Sequence, residues 1–184
     1  MSLTGLASFL ATAALYAALA SGTLLLLIRR VRSAWLLTFL TFFMIFLALH
    51  PFPDREAMVC ANAPSPRLVP FAFLGGMSQL IAEQASLRQW ATDLLAASTL
   101  MNLGLCFLIG TRLPANGIGP GGALIFGALL SGGIELAQLT GLFGFYPCAY
   151  RTFDVDDLIL NIGGIFLGAL LSDILRRRRM RSFG

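Results

Sequence analysis

Charged and amide side chains gather where apolar stretches normally exclude them. Glu135 and Gln138 lie near the end of one apolar segment, and Arg151, Asp154, Asp156 and Asp157 crowd a short link. Asn161 sits inside the next apolar segment. Ionisable groups in such surroundings are costly, so the cluster is a functional-site hypothesis by default. Carboxylates at this density can move protons, hold a hard cation through several oxygens, or pair with guanidinium groups. Arg67, Arg151 and the Asn102 amide are the candidate partners for a buried Glu135, because an isolated buried charge protonates or needs a partner.

The elements that must position these residues are membrane helices. The chain has 184 residues, of which 57% are hydrophobic and only 12% charged, and its mean hydropathy is +0.80. Soluble domains carry about 25% charged residues, so the composition indicates a polytopic membrane protein forming one all-α domain over 1–184. Apolar runs of roughly 17–25 residues suit the hydrocarbon core. The expected spans are 6–28, 34–49, 94–109, 123–139 and 158–175, five in all. The last should stop at Arg176–Arg179. The first exceeds the roughly 7–15 residues of a signal-peptide apolar region and lacks a basic lead-in, so it reads as a retained span.

Between the second and third spans, residues 51–92 form a proline-rich polar loop. Leu74, Met77, Leu80, Ile81 and Ala85 recur within it at helical spacing, with Ser78, Glu83, Gln84 and Arg88 on other faces. This predicts an amphipathic helix over 71–90, lying at the membrane surface or capping the bundle.

All 13 basic residues are arginine, and nine of them (Arg29, Arg30, Arg32, Arg112, Arg176–Arg179 and Arg181) fall on one side of a five-span topology. Basic short loops favour the cytoplasm, which implies an external N-terminus and a cytoplasmic C-terminus in the plasma membrane. The net charge of +4 therefore reads as a topology anchor, the alternative for the terminal arginine run being an anionic-lipid patch; membrane lipids and no nucleic acid are the expected partners. Cys60 and Cys148 fall on the external, oxidising side and are disulfide candidates, the alternative being two free surface thiols. Cys106 lies inside the third span as a small packing residue.

Gly127, Ser131, Glu135 and Gln138 share one helical face, as do Asp157, Asn161, Gly164 and Gly168. Laid antiparallel, the pattern sets Gly127 against Gly168, Ser131 against Gly164, Glu135 against Asn161 and Gln138 against Asp157. Small residues would close the inner half, and the outer half would open as a polar notch. The bland alternative is that Glu135, Gln138 and Asn161 only bind helices together. His50 is the single histidine, so no histidine-based metal site is expected. No phosphate-binding glycine loop and no nucleophile elbow occurs, and no cofactor is implied.

The spacing Glu135-x-x-Gln138, then Arg151-x-Phe153-Asp154-x-Asp156-Asp157-x-x-x-Asn161-x-x-Gly164-x-x-x-Gly168, resembles the signature of VanZ-like membrane proteins. Arg67-Leu68-Val69-Pro70-Phe71 is similar to an upstream segment of that family in which asparagine is common at the first position. Asn102 and Gly110 match the ends of another family motif, with Cys106 and Leu108 replacing phenylalanine and proline. The resemblance covers residues 67–170 and is specific in its last third. The Tyr146–Arg151 stretch with an upstream cysteine looks like the actinobacterial branch. The family is named for an association with teicoplanin resistance, and it supplies no roles for the matched residues.

The resulting expectation is an accessory or binding protein of the cell envelope; no catalytic motif is recognised, and whether the protein turns anything over is left open. Its outward notch would hold a lipid-linked precursor or a glycopeptide-like ligand, with Glu135, Gln138, Asp154, Asp156, Asp157, Asn161, Arg67, Arg151 and Asn102 as site residues. The competing expectations are an enzyme acting on a lipid-linked envelope precursor and, less favoured for want of an internal repeat, a small transporter.

Overall fold

The computed structural model describes residues 3–28 and 34–182, so the basic turn holding Arg29, Arg30 and Arg32 lies outside the described residues. Among them the fold is entirely helical: α1 (Leu3–Leu27), α2 (Trp35–Leu49), α3 (Phe73–Ala82), α4 (Leu87–Thr92), α5 (Leu94–Arg112), α6 (Pro120–Leu139), the short turn α7 (Gly141–Gly144) and α8 (Val155–Arg181). Local sequence explains the starts. Asp93 accepts from the Ala96 amide at 2.8 Å to begin α5, Pro120 occupies the first turn of α6, and Asp154 accepts from the Asp156 amide at 3.0 Å to begin α8. Each arrangement satisfies or dispenses with an amide that a helix leaves unpaired.

Three boundaries differ from the pattern-based expectation. α8 does not stop at Arg176 but runs through Arg181, because arginine is a good helix former and a positive charge is favourable at a helix C-terminus. The expected helix over 71–90 is broken into α3 and α4. Gln84 has φ 51°, and Ser86 with Gln89 forms a reciprocal capping box that starts a new helix. That S-x-x-Q signature was present in the sequence.

Third, four helices (α1, α5 with its 3-10 extension to Asn116, α6 and α8) are long and apolar enough to cross a membrane. α2 has 15 residues, about 22 Å at 1.5 Å per residue, short of the roughly 30 Å hydrocarbon core. α2 nonetheless packs on α1, and His50 at its end meets Phe9 and Tyr16 of α1, with ring centroids 5.4 and 6.1 Å away. The two helices are therefore antiparallel.

α5 and α8 form the most extensive helix pair. Glycine makes it possible: a Cβ added at Gly110 would strike the Ile165 carbonyl, at Gly164 the Leu103 carbonyl, and at Gly168 the Phe107 carbonyl. Gly164 and Gly168 thus serve α5, where the stripe argument had turned them toward the 123–139 helix. Gly127 does lie against α8, but at Ile162 and Ile165, not at Gly168. The buried core (Met44, Cys106, Ile109, Leu113, Ile165 and Ala169 among its members) fills the space behind this pair.

Gly168→Ala should therefore cost about 1–3 kcal/mol by forcing helix backbones apart. Gly163→Ala, with nothing within 4 Å of the new Cβ, should stay within about 0.5 kcal/mol of wild type. Thermal unfolding in detergent measures both, and equal melting of the two variants would contradict the close approach.

Candidate functional site

The polar cluster assembles at one end of the bundle, where α1 begins, α2 ends, α5 begins, α6 ends and α8 begins. Glu135 is 1% exposed and Asn161 is 2% exposed. Glu135 Oε2 accepts from the Asp154 amide at 2.8 Å, which joins the end of α6 to the start of α8. Asn161 bridges three helices. Its Nδ2 donates to Ser131 Oγ at 3.1 Å, and its Oδ1 accepts from the Cys106 thiol at 3.4 Å. Ser131 thus meets Asn161, about one helical turn from the pairing expected of the stripes, and Glu135 meets Asp154, about two turns from it. The long connection through α7 does not force the register that a tight hairpin would, and the crossing settles where Ser131 and Asn161 can bond.

The remaining residues divide between scaffold and cavity. Asp156 is 5% exposed, and its carboxylate accepts from the backbone amides of Phe71 and Phe73, anchoring the start of α3. Asp154 caps α8 and lies 3.6 Å from Arg67 Nη1. The Arg67 backbone bonds on both sides of Asp154, donating to Phe153 O at 2.8 Å and accepting from Val155 at 3.0 Å. Arg67 therefore pairs with Asp154 and not with Glu135. Arg151 donates to the His50 carbonyl at 2.7 Å, and among the described residues the ion pairs are Arg67–Asp154 and Arg177–Asp173.

Asn102 donates to Asp157 Oδ1 at 2.7 Å. Gln138 Nε2 donates to the Ala48 carbonyl at 2.9 Å, so Gln138 ties α6 to α2, where the stripe had aimed it at Asp157. Its Oε1 is buried without a hydrogen-bond partner.

Two adjoining cavities remain. The first, about 480 Å³, has an apolar wall that includes Phe9, Met44, Leu47, Met101 and Ile134, and its polar end is formed by Asn102, Glu135, Gln138, Arg151, Asp157 and Asn161. The second, about 430 Å³, is lined by Arg67, Thr99, Tyr150, Thr152, Asp154 and Asp156, among others. Pro51, Ser98, Gln138, Arg151 and Asp157 line both. The chemistry changes from hydrocarbon to charge across that shared wall, which suits an amphiphile better than a uniformly polar solute.

Among the described residues no group of three or more His, Cys, Asp or Glu side chains converges as a metal would require. The three aspartates of the 154–157 run are spread over a cap, an amide anchor and the cavity.

The sequence reading missed Tyr150, which donates to the Leu49 carbonyl at 3.1 Å. Burial raises its phenol above the ordinary value, so the hydroxyl keeps its proton for that bond. It also missed the walls from α1 and α2, whose apolar side chains carry no signal separating a cavity lining from a lipid-facing surface. Ser98 and Thr99 were one turn from Asn102 and could have been found from that spacing.

A disulfide between Cys60 and Cys148, with Cα atoms 5.7 Å apart, ties the loop after α2 to the connection between α7 and α8. Gly141, at φ 61°, turns the chain so closely that an added Cβ would meet the Tyr146 and Cys148 carbonyls. Cys106 is buried and free.

A family model described as VanZ/LLP1 matches residues 34–176. Neither a curated protein nor a solved structure matches the chain.

Proposed function

The chain belongs to the VanZ/LLP1 family, and from that premise we propose that this membrane protein binds an amphiphilic ligand of the cell envelope in the paired cavities. The observation that carries the reading is the 480 Å³ space graded from hydrocarbon to charge. It falls within the roughly 300–1,000 Å³ of small-ligand sites and suits a headgroup with the adjoining part of an acyl or prenyl chain. Arg151 contributes a guanidinium that forms no ion pair among the described residues, and Arg67, 63% exposed at its side chain, stands at the second cavity. Both suit an anionic group such as a phosphate, to which guanidinium makes paired hydrogen bonds.

The cavity end faces outward in this reading, with the N-terminus external and the basic end of α8 cytoplasmic. A disulfide at the cavity end supports that placement, since disulfides persist in oxidising compartments. A lipid-linked envelope precursor held there would be less available to a glycopeptide, which would connect the site to teicoplanin resistance.

The test is native mass spectrometry of the full chain released from membranes, with identification of the lipids it retains. Wild type keeps a phosphate-bearing amphiphile, and Arg151→Ala lowers its occupancy at least tenfold with the disulfide intact and melting little changed. Wild-type retention in Arg151→Ala would remove the site from this cavity. Glu135 and Asp157 open on the same cavity, which favours an acid–base enzyme as the second reading. Conversion of a lipid-linked precursor by the purified protein would select it.

A further inference from the structure

The hydrogen-bond inventory of the polar end is lopsided. One N–H of the Asn102 amide is spent on Asp157, one of Gln138 on Ala48 and one of Asn161 on Ser131, and the Tyr150 hydroxyl on Leu49. Each amide keeps a second N–H, but the lone pairs left on Glu135, Asp157 and Gln138 Oε1 outnumber those three donors. Glu135 takes one backbone amide through Oε2, Asp157 takes one amide through Oδ1, and Gln138, 4% exposed, keeps Oε1 without a partner. An unpaired buried acceptor is costly, and two carboxylates beside it raise the demand for a donor with positive charge. Arg151 is the protein's own donor at the shared wall, and one of its nitrogens is committed to His50.

Resting on the amphiphile reading above, we infer that the headgroup carries a primary amine together with its anionic group. The ammonium sits among Glu135, Asp157 and Gln138 Oε1, and the anionic group sits against Arg151. An ammonium offers three donors to acceptors that the protein leaves open. A purely anionic headgroup would meet two carboxylates, and a quaternary ammonium would carry the charge without donors.

Full-length protein in detergent is titrated with phosphatidylethanolamine, phosphatidylcholine and phosphatidic acid of identical acyl chains, followed by native mass spectrometry. Phosphatidylethanolamine should bind at least tenfold tighter than either of the others. Asp157→Asn should bring it close to the phosphatidylcholine level. A further arm, a polyprenyl-diphosphate-linked sugar with and without a free amine, separates an envelope precursor from a membrane phospholipid as the source. The free amine should raise binding in that arm as well.

Equal binding of phosphatidylcholine, or equal or tighter binding of phosphatidic acid, would overturn the amine while leaving the amphiphile site standing. Binding of none of the probes would overturn both. Should Asp157→Asn fail to fold, the headgroup series on the wild type still decides.

Discussion

Asp156→Ala is expected to lower stability by about 3 kcal/mol or more, since hydrogen bonds to charged groups contribute roughly 1.5–3 kcal/mol each. The substitution leaves the Phe71 and Phe73 amides without their acceptor in a part of the chain that has few other ties to α8. Asp156→Asn keeps one acceptor oxygen and should fall between the two. The damage should be local before it is global. Leu68, Val69 and Phe71 are already exposed, so losing the anchor should free the 67–92 segment and make it the first site of proteolysis. Limited proteolysis and thermal melting in detergent, run on the three proteins, give the order wild type, Asn, Ala. An alanine variant that melts with wild type would show that the carboxylate does not hold the loop.

Removing the disulfide with the Cys60→Ser, Cys148→Ser double variant should cost about 4 kcal/mol, from the chain entropy of so long a loop. The two cysteines are 88 residues apart in sequence, and the enclosed segment contains α3, α4, α5, α6 and α7. The bond tethers the loop whose Pro51, Arg67 and Phe73 line the second cavity, so its loss should weaken ligand retention as well as melting. Reductant should lower the melting point of wild type to that of the variant and leave the variant unmoved. Thiol labelling of unreduced, folded protein should find neither Cys60 nor Cys148, nor the buried Cys106. Labelling at Cys60 or Cys148, or melting indifferent to reductant, would contradict the staple.

The helical elements were legible because apolar run length reports directly on the membrane. The four long helices lie within a few residues of the expected spans, with α8 extending furthest beyond its own. The identity of the polar cluster was legible for the same reason, since each member violates the apolar pattern around it. Partnership was not. Gly164 and Gly168 define a face, but a face does not say which neighbour it meets, and α5 took the place assigned to α6.

The one-turn offset that joins Ser131 to Asn161 depends on the geometry of the connection between α6 and α8, which no periodicity encodes. The assignments of Asp154, Asp156 and Arg67 were blurred for a related reason. A carboxylate that anchors two amides 83 and 85 residues away looks, in sequence, identical to one that faces a ligand.

The most direct measurement is an experimental density map of the protein in a lipid nanodisc. The account predicts an elongated density with its polar end among Glu135, Asp157 and Arg151 and its chain beside Met44, Met101 and Ile134. Ordered water alone in the cavity, or side chains closing it, would contradict the claim that an amphiphile is bound there.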